Sequence, residues 1–202
     1  MAHREPPRLR ILLAQECARL MAEEGITDFR TAKRKAALRL AVTDKGLLPD
    51  NREIEQALLN YQRLFQADHQ PQRLQELREA ALNAMHFLAH FRPKLVGAVL
   101  SGTAGSNTPI QLHLFADTPK EVTLFLMEQH VPFETGERRL KLGNGDQVCL
   151  PVFRFSAGDH DFDLTVFTSL AEREAPRSPI DGRPMRRAGP MEIQVLLAEH
   201  QH

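Results

Sequence analysis

Lys94–Phe115 reads KLVGAVLSGTAGSNTPIQLHLF, and the fold turns on how this stretch is interpreted. Leu95, Val96, Val99 and Leu100 approach the small-residue run SGTAGSNTP, and Ile110, Leu112, Leu114 and Phe115 follow it. The pattern predicts strand, loop, strand. In the second strand Gln111 and His113 alternate with the apolar positions, so they share a polar face. A loop of Gly, Ser and Thr lets backbone N–H groups approach a phosphate or another anion. The same composition serves an ordinary turn between strands, and both readings stand at this point.

Toward the N-terminus the period changes from two to 3.6. Ile11, Leu12, Leu13, Cys17, Leu20 and Met21 predict a first helix over Arg8–Glu24, which Gly25 ends. Thr27 or Asp28 caps a second, to about Ala41, with Phe29, Ala32, Ala36 and Leu40 on its apolar side. A third carries Ile54, Leu58, Tyr61 or Leu59, and Phe65. A fourth runs from Pro71 to Phe91 on Leu74, Leu77, Ala81, Leu82, Met85 and Leu88, and Pro93 stops it.

Toward the C-terminus, Asp117-Thr118-Pro119 is a cap followed by proline, a helix start. That helix reaches about His130 and turns Val122, Leu124 or Phe125, and Leu126 inward. Phe133–Leu142 and Val148–Phe155 form a hairpin about Gly143-Asn144-Gly145-Asp146, and Ala157-Gly158-Asp159 turns into a strand over Asp161–Phe167. From Glu174 repeated Pro and Gly make a loop, closed by a helix over Met191–Glu199 whose Ile193, Val195, Leu196 and Leu197 read as core or dimer contact. The order predicts an α+β protein: an N-terminal helical bundle, then a mixed or antiparallel sheet with flanking helices. Three regions follow: a helical domain over 1–92, an α/β domain over 93–170 and a loop-rich arm over 171–202.

Of 202 residues, 42% are hydrophobic and 26% charged, the proportions of a globular chain. Lys+Arg and Asp+Glu both total 26, so attraction to nucleic acid or membrane must come from local patches. Trp is absent and Tyr61 is the only tyrosine, poor material for stacking bases. Cys17 and Cys149 are too few for a disulfide framework or metal cage and read as buried thiols. No apolar run approaches about 18 residues, and MAHREPPR lacks a signal-like apolar segment, so the expectation is a cytoplasmic protein without a membrane partner. No Ser-His-Asp or Cys-His nucleophile arrangement emerges.

The order strand, Gly/Ser loop, strand with alternating polar positions, helix, and a later strand bearing an acid resembles the nucleotidyltransferase superfamily, the DNA polymerase beta-like fold, over residues 94–168. The stretches VLSGTAGSNTPIQLHLFAD, PVFRFSAGDHDFDLTVF and SPIDGRPMRRA are also similar to a group of uncharacterised bacterial proteins of about this length. In active members a Gly-Ser loop holds phosphate, two alternating carboxylates bind divalent metal and a third completes the site. Two cations about 3.5–4 Å apart need that many oxygen anions. The resemblance places the loop on Ser101, Gly102, Thr103 and Ser106. It places the paired positions on Gln111 and His113, and the third on Asp163 with Asp161 beside it. Neutral Gln111 is a poor bridging ligand. The resemblance therefore implies a divergent, catalytically impaired domain that binds a nucleotide or other phosphorylated ligand. Mg²⁺ or Mn²⁺ enters only if Asp117, Asp161 and Asp163 form a rearranged site.

Other signals compete. His113 also reads as the polar member of a half-exposed strand, and Asp161 and Asp163 as the wet face of an edge strand. Arg183, Arg186 and Arg187 lie about the Asp181-Gly182 turn, and the arm could fold back to bring phosphate-binding cations to the sheet. Arg30, Lys33, Arg34, Lys35 and Arg39 put five cations into ten residues of the second helix. They give an alternative function, a non-enzymatic interaction or regulatory protein that touches nucleic acid.

Overall fold

The computed structural model describes residues 8–65, 70–105 and 108–199. Among them are seven α-helices and one five-stranded mixed sheet, an α+β architecture. The chain divides into two compact units. One holds the chain up to Arg73, a short segment from Thr103, and Pro179–Asp181. The other holds the rest, so most of the fourth helix, from Leu74, counts with the sheet.

In the first unit α1 (Arg8–Glu23) packs against α2 (Phe29–Arg39) and α3 (Asn51–Phe65). Asp28 is the cap of α2, its carboxylate accepting from Thr31 N at 2.7 Å. Leu13, Cys17, Leu20, Ala32, Ala36 and Ile54 form the core. Three consecutive apolar residues cannot all face inward on a helix. The i, i+4, i+7 set Leu13, Cys17 and Leu20 wins, and Ile11 and Leu12 are exposed. Leu40, Leu59 and Phe65 also prove exposed.

The second unit holds α4 (Gln70–Phe87) from Leu74 onward, β1 (Lys94–Val96), α5 (Gly97–Ser101), β2 (Ile110–Ala116), α6 (Pro119–Glu128), β3 (Glu134–Lys141), β4 (Gln147–Ala157), β5 (His160–Thr168) and α7 (Pro190–Glu199). In α7 only Ile193 is buried and Val195 is exposed. Strand order is β1-β2-β5-β4-β3; β2 and β5 run parallel and every other pair is antiparallel. Leu95, Ile110, Leu112, Leu114, Phe153, Phe162, Leu164 and Val166 are buried, and α6, which lies against β2 and β5, adds Val122 and Leu126. Thr118 N donates to Glu121 Oε1 at 2.8 Å, fixing the start of α6.

Two expectations need correction. Val99 and Leu100 belong to no strand: the chain leaves β1 at Gly97, whose φ of +71° breaks the extended run, and makes the short helix α5, ended by Gly102 at φ +87°. And β5 is no edge strand, since it lies between β2 and β4. No described helix is long and apolar enough to cross a membrane.

Candidate functional site

Parallel pairing of β2 with β5 sets Gln111 opposite Asp163 and His113 opposite Thr165. Side chains at directly paired positions share a face, so the four make a polar patch on the side away from Leu112 and Leu164. Antiparallel pairing then brings Arg154 of β4 opposite Asp163. Arg138 reaches in from β3, one strand further out. Its Nη2 donates to Asp163 Oδ2 at 2.7 Å and its Nη1 to Thr165 Oγ1 at 3.1 Å. Arg154 Nε stands 3.5 Å from the same carboxylate oxygen. The Asp163 side chain is only 7% exposed, and its Oδ1 is buried without a hydrogen-bond partner.

His113 is 2% exposed, not half-exposed. Its Nδ1 accepts from Arg187 Nε at 3.1 Å. A guanidinium can only donate, so a neutral His113 carries its proton on Nε2. Burial above all, then the Arg187 and Arg138 cations, holds the His113 pKa well below 6.5. Arg187 comes from the C-terminal arm and lies over the rings of Phe115 (5.1 Å) and Phe167 (4.8 Å). Its Nη1 donates to the carbonyls of Ala171, Glu172 and Glu174 at 3.2–3.3 Å. Its Nη2 is buried without a partner, and burial brings its pKa down to about 10.

This donor set does not fit a pair of divalent cations. Gln111 offers a neutral carboxamide, His113 Nδ1 is engaged by Arg187, and the charge of Asp163 is matched by two guanidiniums. Among the described residues no three His, Cys, Asp or Glu side chains gather as a metal cage.

The remaining candidates scatter. Asp161 is on the same face but at the exposed start of β5, accepting from Ser156 Oγ at 2.6 Å. Asp117 accepts from Ser169 Oγ. Ser101 ends α5, its hydroxyl turned back to Ala98 O at 3.4 Å, and Gly102 follows it as the left-handed cap. Thr103 counts with the helical unit, where its carbonyl accepts from Gln62 Nε2 at 2.9 Å. Ser106 lies outside the described residues. The glycine that abuts the polar face is instead Gly97, where an added Cβ would collide with the Gln111 carboxamide oxygen. Arg186 pairs with Glu192 at 2.6 Å and the Arg183 side chain is exposed, so the arm's cation at His113 is their neighbour Arg187.

In α2, Lys35 pairs with Glu24 and Arg39 with both Glu16 and Glu24, at 2.6–3.2 Å. Arg30, Lys33 and Arg34 complete the basic run. Cys17 is buried, but Cys149 is exposed on the β3–β4 hairpin with its thiol 3.1 Å from Glu137 Oε2. Its apolar sequence neighbours do not hide a strand this near the sheet edge.

Arg138 and Arg154 are the residues of this face that sequence reasoning missed. Arg154 left a trace, a lone charge inside the apolar run PVFRF; Arg138 sits in the charged strand ETGERRLK and left none. No protein-family model matches the chain, and no curated protein matches it.

Proposed function

We propose that the polar face of β2 and β5 binds the anionic group of a phosphorylated ligand, a nucleotide among the candidates, without a divalent metal. On this reading the nucleotidyltransferase resemblance is one of scaffold, and the phosphoryl-transfer chemistry has been lost. The observation that carries it is the charge balance: Arg138 and Arg154 both reach Asp163, the one buried carboxylate of the face, and leave that face with an excess of positive charge. Arg154, about half exposed, is the cation a ligand meets first, and Arg138 can offer a second fork. The Nε2–H of neutral His113 adds a donor that brings no extra charge.

Calorimetric titration with pyrophosphate and with ATP, in EDTA and again in Mg²⁺, tests the reading. Binding should persist in EDTA and weaken by about tenfold in Arg154→Ala, the worth of one charge-assisted hydrogen bond. Binding or nucleotide transfer that requires Mg²⁺ would overturn it. The second reading, a nucleic-acid surface on α2, is weakened by Lys35 and Arg39, whose charge is directed at Glu16 and Glu24. Salt-sensitive retention of RNA or DNA, lost in Arg30→Ala/Lys33→Ala/Arg34→Ala, together with no response to any nucleotide, would favour it.

A further inference from the structure

The arm between β5 and α7 has almost no regular structure, yet it is fastened at both sides of the sheet. At one side Arg177 N donates to Lys141 O at 2.6 Å. The Arg177 guanidinium also donates to Leu142 O and Gly143 O, at the β3–β4 turn. At the other side Leu95 N donates to Ala188 O at 2.8 Å and Ala188 N to Leu95 O at 2.9 Å, so residue 188 extends the sheet beyond β1. Next to that bridge Arg187 lies on His113 and over the Phe115 and Phe167 rings.

The fit beneath the arm is incomplete. Arg187 Nη2, a donor, and Asp163 Oδ1, an acceptor, are both buried and unmatched. A permanent core pairs such groups, because an unmade buried hydrogen bond is costly. Along the arm Arg177, Pro179, Gly182, Arg183, Pro184 and Arg186 are exposed.

We infer that the segment from Arg177 to Ala188 is a releasable strap that competes with the ligand for the polar face, Arg187 standing where the ligand must enter to reach His113. This rests on the anion-binding reading above and adds its regulation. Closed, the strap engages His113 Nδ1 through Arg187; released, it leaves that edge of the imidazole open to the ligand. Ligand binding then selects the open form, and apparent affinity scales with the fraction of molecules that are open.

Two variants loosen the strap away from the ligand-binding side chains: Ala188→Pro, which removes the N–H given to Leu95, and Arg177→Ala, which removes the guanidinium bonds of the other fastening and keeps its backbone bond to Lys141. Two are needed because the proline could disturb β1. Hydrogen exchange at the Leu95 amide reports release. Carbethoxylation of His113 by diethyl pyrocarbonate, mapped by mass spectrometry, reports access. Calorimetry with pyrophosphate in EDTA reports affinity. The expected result is faster exchange, faster modification and up to about tenfold tighter binding, as when a form open a tenth of the time becomes dominant.

Unchanged Leu95 exchange in both variants would show that these contacts do not hold the strap and would overturn the proposal. So would faster exchange with unaltered His113 reactivity, or an accessible His113 with unaltered pyrophosphate affinity. If neither the wild type nor any variant binds pyrophosphate or ATP, the anion-binding reading is what fails. The strap as a cover is then decided by His113 modification alone.

Discussion

Asp163 is held between opposite demands. Its carboxylate neutralises Arg138 and Arg154 in the folded protein, and it repels any anion that approaches them. Asp163→Asn should therefore separate stability from binding. Leaving the partly buried Arg138 without its counter-charge should cost about 1–3 kcal/mol, read from urea denaturation. Affinity for pyrophosphate in EDTA should rise, on the order of tenfold, as one nearby negative charge is removed. A metal-binding carboxylate would instead give no binding in EDTA, and Asp163→Asn would lose the binding seen in Mg²⁺. His113 makes a second prediction. The native state keeps its imidazole neutral, while the unfolded chain takes up a proton near 6.5. Below that pH the unfolded state binds more protons, so stability falls as pH drops from 6.5 toward the depressed native value and then levels off. Urea midpoints between pH 8 and 5 should show the decline, and His113→Gln should flatten that part of it.

Among the secondary elements, the passage from β1 into α5 is the joint that sets the site. Gly97→Ala meets two obstacles: a left-handed backbone and the Gln111 side chain. The first should cost about 1–3 kcal/mol by thermal denaturation. Gln111→Ala in the same chain should restore only the part due to crowding, because φ at residue 97 stays +71°. This joint also marks where the sequence stops being readable. The helix start at Pro119 and the hairpin about Asn144-Gly145 were legible because their signals are local: a cap with its proline, and a turn dipeptide between alternating strands. In Leu95–Leu100 six residues are too few for a period of two to be told from one of 3.6, so α5 reads as strand. Gln111, His113 and Asp163 were legible as a set through alternation. Their partners Arg138 and Arg154 were not, and Arg187 was legible only as one of three arginines on the arm, because cross-strand register and the path of an irregular arm are settled by packing between distant segments.

For the molecule as a whole, the parallel contact of β2 with β5 governs the order of assembly. Ile110 meets Phe162, and Ala116 meets Thr168, across a gap of about fifty positions, whereas β3, β4 and β5 are joined by tight turns. The three-stranded meander can form early; β2 must then find its place alongside it. Residues 177–188 can dock only once β1, β2 and the β3–β4 turn already exist, which puts their contacts after the rate-limiting step. Stopped-flow measurements on Arg177→Ala should accordingly show quicker unfolding at an unaltered refolding rate. The last piece of chain to arrive would then be the first to leave, making the C-terminal segment the protein's kinetic latch.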